Sequence, residues 1–382
     1  MPALGTALLS RRVAVNATVA MLRAFDQPLN LEPIGVPSLD EGQVLVQIEA
    51  AGICGSDVHM WRGRDPRTPL PMILGHEGVG RVVDIKGERL NIHGERVTVG
   101  DRILWERGVT CGQCAYCTLM GEPALCPHRW VYGIYRSAEQ PPYLNGCYAT
   151  HLILDARTIM FPIEENEDPA TYVAASCSGA TAAHGFDLAP VQVGDTVVIL
   201  GPGPLGAFAV ALARAGGAEH IIVVGGTRDR LALCVGLGAT LCINRRETGI
   251  VERAEAIMEV TRGRGANIVV EASGSMAAAQ EALGLVGRGG AVLLIGFGTP
   301  VGNMQLAPFE ALVHKNVRLQ GVWVSGPRHT HRAMSLVRQH PDAFAQLVTH
   351  RLPLSQATDA LRLVADRQAM KAVLLPNEGA PA

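Results

Sequence analysis

One glycine-rich turn constrains this chain more than any other feature. Gly201-Pro202-Gly203-Pro204-Leu205-Gly206 fits G-x-G-x-x-G, follows the β-branched run Thr196–Leu200 and opens an apolar segment reaching Gly216. A strand, this turn and a helix with Pro at its start make the opening of a dinucleotide-binding βαβ unit. Gly201 permits the tight turn, Gly203 lets a pyrophosphate approach the backbone, and Gly206 lets helix and strand pack closely. Pro204 and Leu205 fall in the first helical turn, whose N–H groups and dipole favour phosphate. The competing reading is a plain glycine-rich turn. The charge-free run Thr196–Ala213 nears transmembrane length, but the Gly/Pro turn breaks it, so a buried strand and buried helix fit better than a span.

The alternation continues downstream. Ile221–Val224, Ile268–Val270 and Ala291–Ile295 read as strands and Arg228–Gly238 as a helix, which predicts a parallel sheet covered by helices on both faces. Before residue 170 the texture is β. Residues 13–53 read as hairpins with Val44–Ile48 the clearest strand, and Val79–Ile85, Arg96–Val99 and Arg102–Trp105 follow. Lys86–Arg89 reads as a solvated charged loop between them. The tail ends in the strand-like Ala372–Leu375. At 382 residues the chain is about twice the usual domain length, so two domains are expected.

Charge excludes one class of partner. Charged residues are only 18% and the net charge is -2, with no basic stripe, so no nucleic-acid partner is expected. Met1–Arg12 has no basic residue ahead of its apolar stretch. A secretory signal is therefore not expected, no membrane partner is, and the cytoplasm is the expected compartment. Nine cysteines in such a chain point to metal ligation rather than disulfides.

Four of them, Cys111, Cys114, Cys117 and Cys126, follow the pattern C-x2-C-x2-C-x8-C. Four thiolates on a turn-rich loop, with Gly112 and Gly121 at its bends, suit a tetrahedral Zn²⁺ with no open position, which makes this metal structural. The alternatives are four free cysteines or an iron centre. A second constellation joins Cys54 in Gly52–His59 to His76 in Gly75–Gly80. Alone, His76 reads as an ordinary core or loop histidine. Paired with Cys54 and a third soft ligand it points to a catalytic Zn²⁺, and Cys177 is the best third candidate; its other reading is a small buried hydrophobe.

Together these motifs resemble the zinc-containing medium-chain alcohol dehydrogenases. G-H-E-x-x-G at Gly75–Gly80, Cys-x-Ser-Asp at 54–57, the cysteine loop and the glycine-rich turn occur in that family's order. The resemblance runs from about residue 20 to 375. It implies an α/β protein in which a GroES-like β-rich catalytic domain, 1–170 and 319–382, receives an inserted Rossmann doubly wound domain, 171–318. It implies that Cys54, His76 and Cys177 are catalytic zinc ligands and that Glu77 is a carboxylate able to approach the metal. Asp57 would orient the ligand histidine. Ser56 would hydrogen-bond the substrate oxygen, with His59 at the outer end of a proton relay; His59 also reads as a solvated loop residue. Thr181 matches a position beside the nicotinamide. Homodimers or homotetramers are usual in the family. Three departures stand out: Lys86 and its charged insert, the x8 gap, and Ser178-Gly179 after Cys177 where the polyol branch has Glu-Pro.

The expected activity is hydride transfer between an alcohol, aldehyde or ketone and NAD(P), with two zinc ions per chain. An acid normally ends the second strand to bind the ribose of NAD, but here the chain reads Gly225-Gly226-Thr227-Arg228. This favours NADP, with Thr227 and Arg228 at the site and Arg228 able to pair with a 2′-phosphate. Asp229 in a shifted loop, serving NAD, is the other reading. Two other functions compete: a quinone or enoyl reductase relative lacking the catalytic zinc, and a dinucleotide-binding protein without turnover. Trp61, Trp130, Tyr132 and Trp323 are candidates near the cleft, for packing or for specificity.

Overall fold

The computed structural model describes residues 16–377. The expectations for Met1–Arg12 and for the start of the hairpins at 13–15 lie outside the described residues.

The first domain is built mainly on antiparallel strands, with Val348–Pro353 pairing in parallel with Lys371–Leu375. A three-stranded sheet runs Asn30–Gly35, Asn16–Leu22, Met72–Ile73. A seven-stranded sheet runs Met160–Pro162, Arg102–Trp105, Glu77–Ile85, Val44–Gly52, Lys371–Leu375, Val348–Pro353, with His151–Leu154 also on Val44–Gly52. Val44, Val46, Ile48 and Ala51 are fully buried, so Val44–Gly52 sits at the centre of this core. Its pairing with Glu77–Ile85 shifts register twice, at Leu45/Val46 and Ile48/Ala50. Such irregularities bend and twist a strand. The bent strand ends at Gly52, two residues before Cys54, opposite Glu77.

The second domain holds a six-stranded parallel sheet in the order Leu241–Asn244, His220–Gly225, Thr196–Leu200, Ala266–Glu271, Val286–Leu294, Arg318–Gly321. Thr196–Leu200 is buried along its whole length. Chain order reverses on either side of it, which makes its carboxyl end a topological switch point, where ligands of such sheets bind. The turn Gly201–Gly206 lies there. Gly201 has φ of +115°, and a Cβ on Gly206 would lie 1.9 Å from the Gly201 carbonyl oxygen, so neither position accepts a side chain. A Cβ on Gly203 would meet nothing within 4 Å, leaving that face of the turn open to a ligand. The helix Pro204–Ala215 is buried from Gly206 to Ala213. No helix among the described residues is long and apolar enough to cross a membrane.

Three expectations need correction. Arg96–Val99 is not a strand: Asp101 accepts from the Thr98 N–H and hydroxyl and closes a turn, leaving one bridge, Leu90 to Arg96. The insert Lys86–Arg89 is not wholly solvated, because Arg89 is buried and donates to the carbonyls of Gly42, Asp155 and Thr158. The expected boundary at 318/319 cuts the strand Arg318–Gly321, which belongs to the parallel sheet; the tail rejoins the first-domain sheet only at Val348.

Helix Ser178–Leu188 passes close to both Pro204–Ala215 and Pro327–Gln339. A Cβ on Gly179 would approach Ala333 Cβ to 2.6 Å and Phe208 to 2.8 Å. At the start of Pro327–Gln339 the Gly326 N–H donates to His329 Nδ1 (2.9 Å), while His329 Nε2 faces Asp187 at 3.1 Å. The His184 ring stacks on His329 at 4.6 Å. Burial, then the neighbouring His184, presses the His329 pKa down to about 4. Between pH 4 and 6.5 the unfolded chain therefore holds a proton that the folded ring refuses, so stability falls as pH falls through that window. Melting temperatures across it are expected to decline on acidification and to decline less steeply in His329→Asn. Equal slopes would show that His329 is not responsible.

Candidate active site

The bent strand, a short helix and a tight turn bring one cluster together. Cys54 precedes helix Gly55–Trp61, and its N–H donates to Asp57 Oδ2 at 2.7 Å in the first helical turn. Tyr148 donates to the same oxygen at 3.1 Å, and Asp57 Oδ1 takes His76 Nδ1 at 3.2 Å. Gly75, with φ of +95°, makes the turn that delivers His76; a Cβ there would lie 2.4 Å from Tyr148. With Nδ1 held by Asp57, the other ring nitrogen, Nε2, is buried without a partner. One ligand atom each from Cys54, His76, Glu77 and Cys177 lies within 4.8 Å of the others.

The sulfurs report what this cluster suits. Cys54 Sγ and Cys177 Sγ are 3.9 Å apart. A disulfide needs about 2.05 Å. Two thiolates on one tetrahedral zinc, each about 2.3 Å from it, stand roughly 3.8 Å apart. The Cys177 contact holds the Cys54 thiol well below its ordinary pKa, while the same contact and burial push Cys177 well above. Burial opposes a charge on His76, yet Asp57 and Cys54 outweigh it and raise its pKa to about 10. A buried imidazole nitrogen without a hydrogen-bond partner, beside two sulfurs 3.9 Å apart, suits a cation.

Two buried basic residues at the cluster escaped the sequence reading. Lys371 Nζ donates to Glu77 Oε2 at 2.7 Å and to the Ile53 carbonyl at 3.1 Å. Burial opposes its charge, but Glu77 and Cys54 more than compensate and hold it protonated. Glu77 Oε1 is left buried and unpartnered. The lone lysine opening the apolar run before Ala372 was the available signal. Lys371→Met would leave the Glu77 charge buried without its counter-ion. It is expected to cost about 3–5 kcal/mol in urea unfolding, and a loss under about 1 kcal/mol would contradict the pairing. The second residue, Arg107, donates from Nη1 to Cys177 Sγ (3.1 Å) and from Nη2 to Thr181 Oγ1 (3.3 Å). It thereby ties the sulfur to the hydroxyl on helix Ser178–Leu188.

Ser56 and His59 sit on the same helix, three residues apart and half-buried. No hydrogen bond joins them among the described residues. Burial, with Arg64, holds the His59 pKa below its ordinary 6.5, so the ring is neutral near pH 7. The cysteine loop closes separately. Its four sulfurs lie within 4.8 Å of one another, with Cys114–Cys117 and Cys111–Cys126 each at 3.6 Å. The Gln113 N–H draws the Cys111 pKa down to about 6, whereas burial and Cys114 push Cys117 up to about 11. Gly112 (φ +71°) and Gly121 (φ +66°) make the bends.

At the dinucleotide end, Thr227 precedes helix Arg228–Leu237 and Arg228 is paired with Glu247 at 2.7 Å. Trp61, Trp130 and Tyr132 are buried in the first-domain core. Trp323 borders an open space of about 300 Å³ that Arg67, Phe297 and Thr299 also line.

A two-domain fold with a phosphate-type glycine turn at the switch point and a buried Cys/His cluster defines an oxidoreductase of the dehydrogenase type. Residues 40–165 match the alcohol dehydrogenase GroES-like domain, and residues 204–339 the zinc-binding dehydrogenase domain. The chain is 33% identical over 345 residues to 5-exo-hydroxycamphor dehydrogenase of Pseudomonas putida, covering 89% of this chain and 94% of that one. It is 45% identical to an alcohol dehydrogenase of Thermotoga maritima known from its crystal structure, with a TM-score of 0.92 over 95% of this chain and 100% of that one. A zinc-binding dehydrogenase of Sinorhizobium meliloti solved with NADP is 26% identical, with a TM-score of 0.81 over 95% and 100% of the two chains. The chain belongs to the medium-chain dehydrogenase/reductase family.

Proposed function

We propose that this chain is a zinc-dependent alcohol dehydrogenase that holds two zinc ions and exchanges a hydride between an alcohol, aldehyde or ketone and NAD(P). The observation that carries the proposal is the buried, unpartnered Nε2 of His76 beside two sulfurs 3.9 Å apart. Bound there, zinc supplies Lewis acidity toward the substrate oxygen, and the nicotinamide supplies or accepts the hydride. Cys54, His76 and Cys177 would hold the ion, and the unpartnered oxygen of Glu77 belongs to the same cluster. Asp57 fixes the imidazole so that Nε2 is the ligand nitrogen. Ser56 hydrogen-bonds the substrate hydroxyl, and the neutral His59 accepts its proton toward water. Gly201, Gly203, Pro204, Leu205 and Gly206 receive the pyrophosphate, and Thr181 lies beside the nicotinamide. Cys111, Cys114, Cys117 and Cys126 hold the second, structural ion. Thiolate ligands favour a reducing compartment, the cytoplasm, and the family habit favours a homodimer or homotetramer.

Two measurements test this. Elemental analysis of freshly purified protein is expected to give about two zinc per chain. A panel of alcohols and carbonyls, with cyclic secondary alcohols included because of the hydroxycamphor relative, is expected to change reduced-cofactor absorbance. One zinc per chain with turnover of quinones or enones would instead support the metal-free reductase.

A further inference from the structure

The strand His220–Gly225 ends without an acid, and the space above its end is occupied by guanidiniums. Resting on the dinucleotide reading, we propose that Arg245 and Arg246 form a binding site for the 2′-phosphate of a phosphorylated nicotinamide dinucleotide. A Cβ on Gly226 would lie 3.2 Å from Arg245 Nε and 3.2 Å from Arg246 Nε, so both guanidiniums converge on this one backbone position. The backbone fixes them there. Arg245 N–H donates to the Gly225 carbonyl at 2.8 Å, and Arg246 N–H to Asn244 Oδ1 at 3.1 Å. Neither side chain has a hydrogen bond or ion pair among the described residues, and both are exposed.

Two unpaired like charges held together on a surface repel each other, and a dianionic phosphate between them relieves that repulsion through charge-assisted bonds. Arg228, the residue that the sequence alone singled out, faces elsewhere: its guanidinium is spent on Glu247 at 2.7 Å. Asn244 Nδ2 donates to the same Glu247 oxygen at 2.8 Å, so that carboxylate is engaged by Arg228 and Asn244. The adenosine ribose of a dinucleotide whose pyrophosphate lies on the Gly201–Gly206 turn reaches the end of the second strand, and an acid or a cation there decides between 2′-hydroxyl and 2′-phosphate. Gly226 leaves that position open, and the cations stand over it.

Titrations of the holoprotein with NADPH and NADH, followed by nicotinamide fluorescence, need no knowledge of the substrate. NADPH is expected to bind at least tenfold more tightly than NADH, and 2′,5′-ADP to bind more tightly than 5′-AMP. In Arg245→Ala/Arg246→Ala the ratio of the two dissociation constants should fall to near one. Gly226→Asp, at a position with no left-handed backbone requirement, should invert it. NADH binding as tightly as NADPH in the unaltered protein, or a ratio unmoved by the double substitution, overturns the 2′-phosphate site and leaves the dinucleotide reading standing. Failure of both dinucleotides to bind overturns the two together.

Discussion

Cys54→Ala and His76→Ala are expected to lower turnover by roughly a thousandfold or more and to reduce zinc from about two to about one per chain. Lewis-acid stabilisation is worth several kcal/mol in a transition state, and about 1.4 kcal/mol is a factor of ten in rate. On the proposed reading each substitution would remove one of three ligands from a site that has few to spare. The fold is expected to survive the first of them. Cys54 is a small, half-buried side chain, and the bonds that organise its surroundings, Asp57 with the Cys54 N–H and with Tyr148, involve backbone and other side chains. Cys54→Ala should therefore melt within a few degrees of the parent. Near-normal turnover, or two zinc ions retained in either variant, would contradict the assignment of this cluster.

Cys114→Ala is expected to act the other way, on stability first. Of residues 111–126 only Ala124 and Cys126 are buried, while Leu119, Met120 and Leu125 are largely exposed, with Leu119 at 84%. Such a lobe has almost no core of its own, so on the proposed reading a bound metal would be what folds it. Opening the tetrad should cost about 3 kcal/mol and lower the melting temperature by roughly 6–12 °C. The lobe also contacts the second domain, where Arg328 meets Glu122 at 3.5 Å and the two segments enclose a cavity of about 120 Å³. Limited proteolysis should accordingly cut first between residues 107 and 129. A variant as stable and protease-resistant as the parent would show that the four sulfurs hold no structural ion.

The motifs and the chemistry they serve were legible because each depends on residues near in sequence. Gly201–Gly206 is one turn, the four loop cysteines lie within 16 residues, and Asp57 is three residues from the N–H it accepts. Partnerships between distant segments were not legible. Lys371 meets Glu77 across 294 positions and Arg107 meets Cys177 across 70, and no local periodicity records either. Arg96–Val99 misled because alternating polarity is shared by strands and by turns capped from a side chain, and Asp101 chose the turn.

By itself the sequence singled out the glycine turn and the four-cysteine loop by residue type and short spacing, while Cys54, His76 and Cys177, the two cysteines 123 positions apart, were joined only through the family resemblance. Only the tertiary structure decided which nitrogen of His76 is free, which sulfur faces which, and which arginine stands over Gly226. Those are set by sheet pairing and by the packing of the chain's ends against its middle. A side chain's protonation and its partner depend on what surrounds it in space, and spacing along the chain does not specify that.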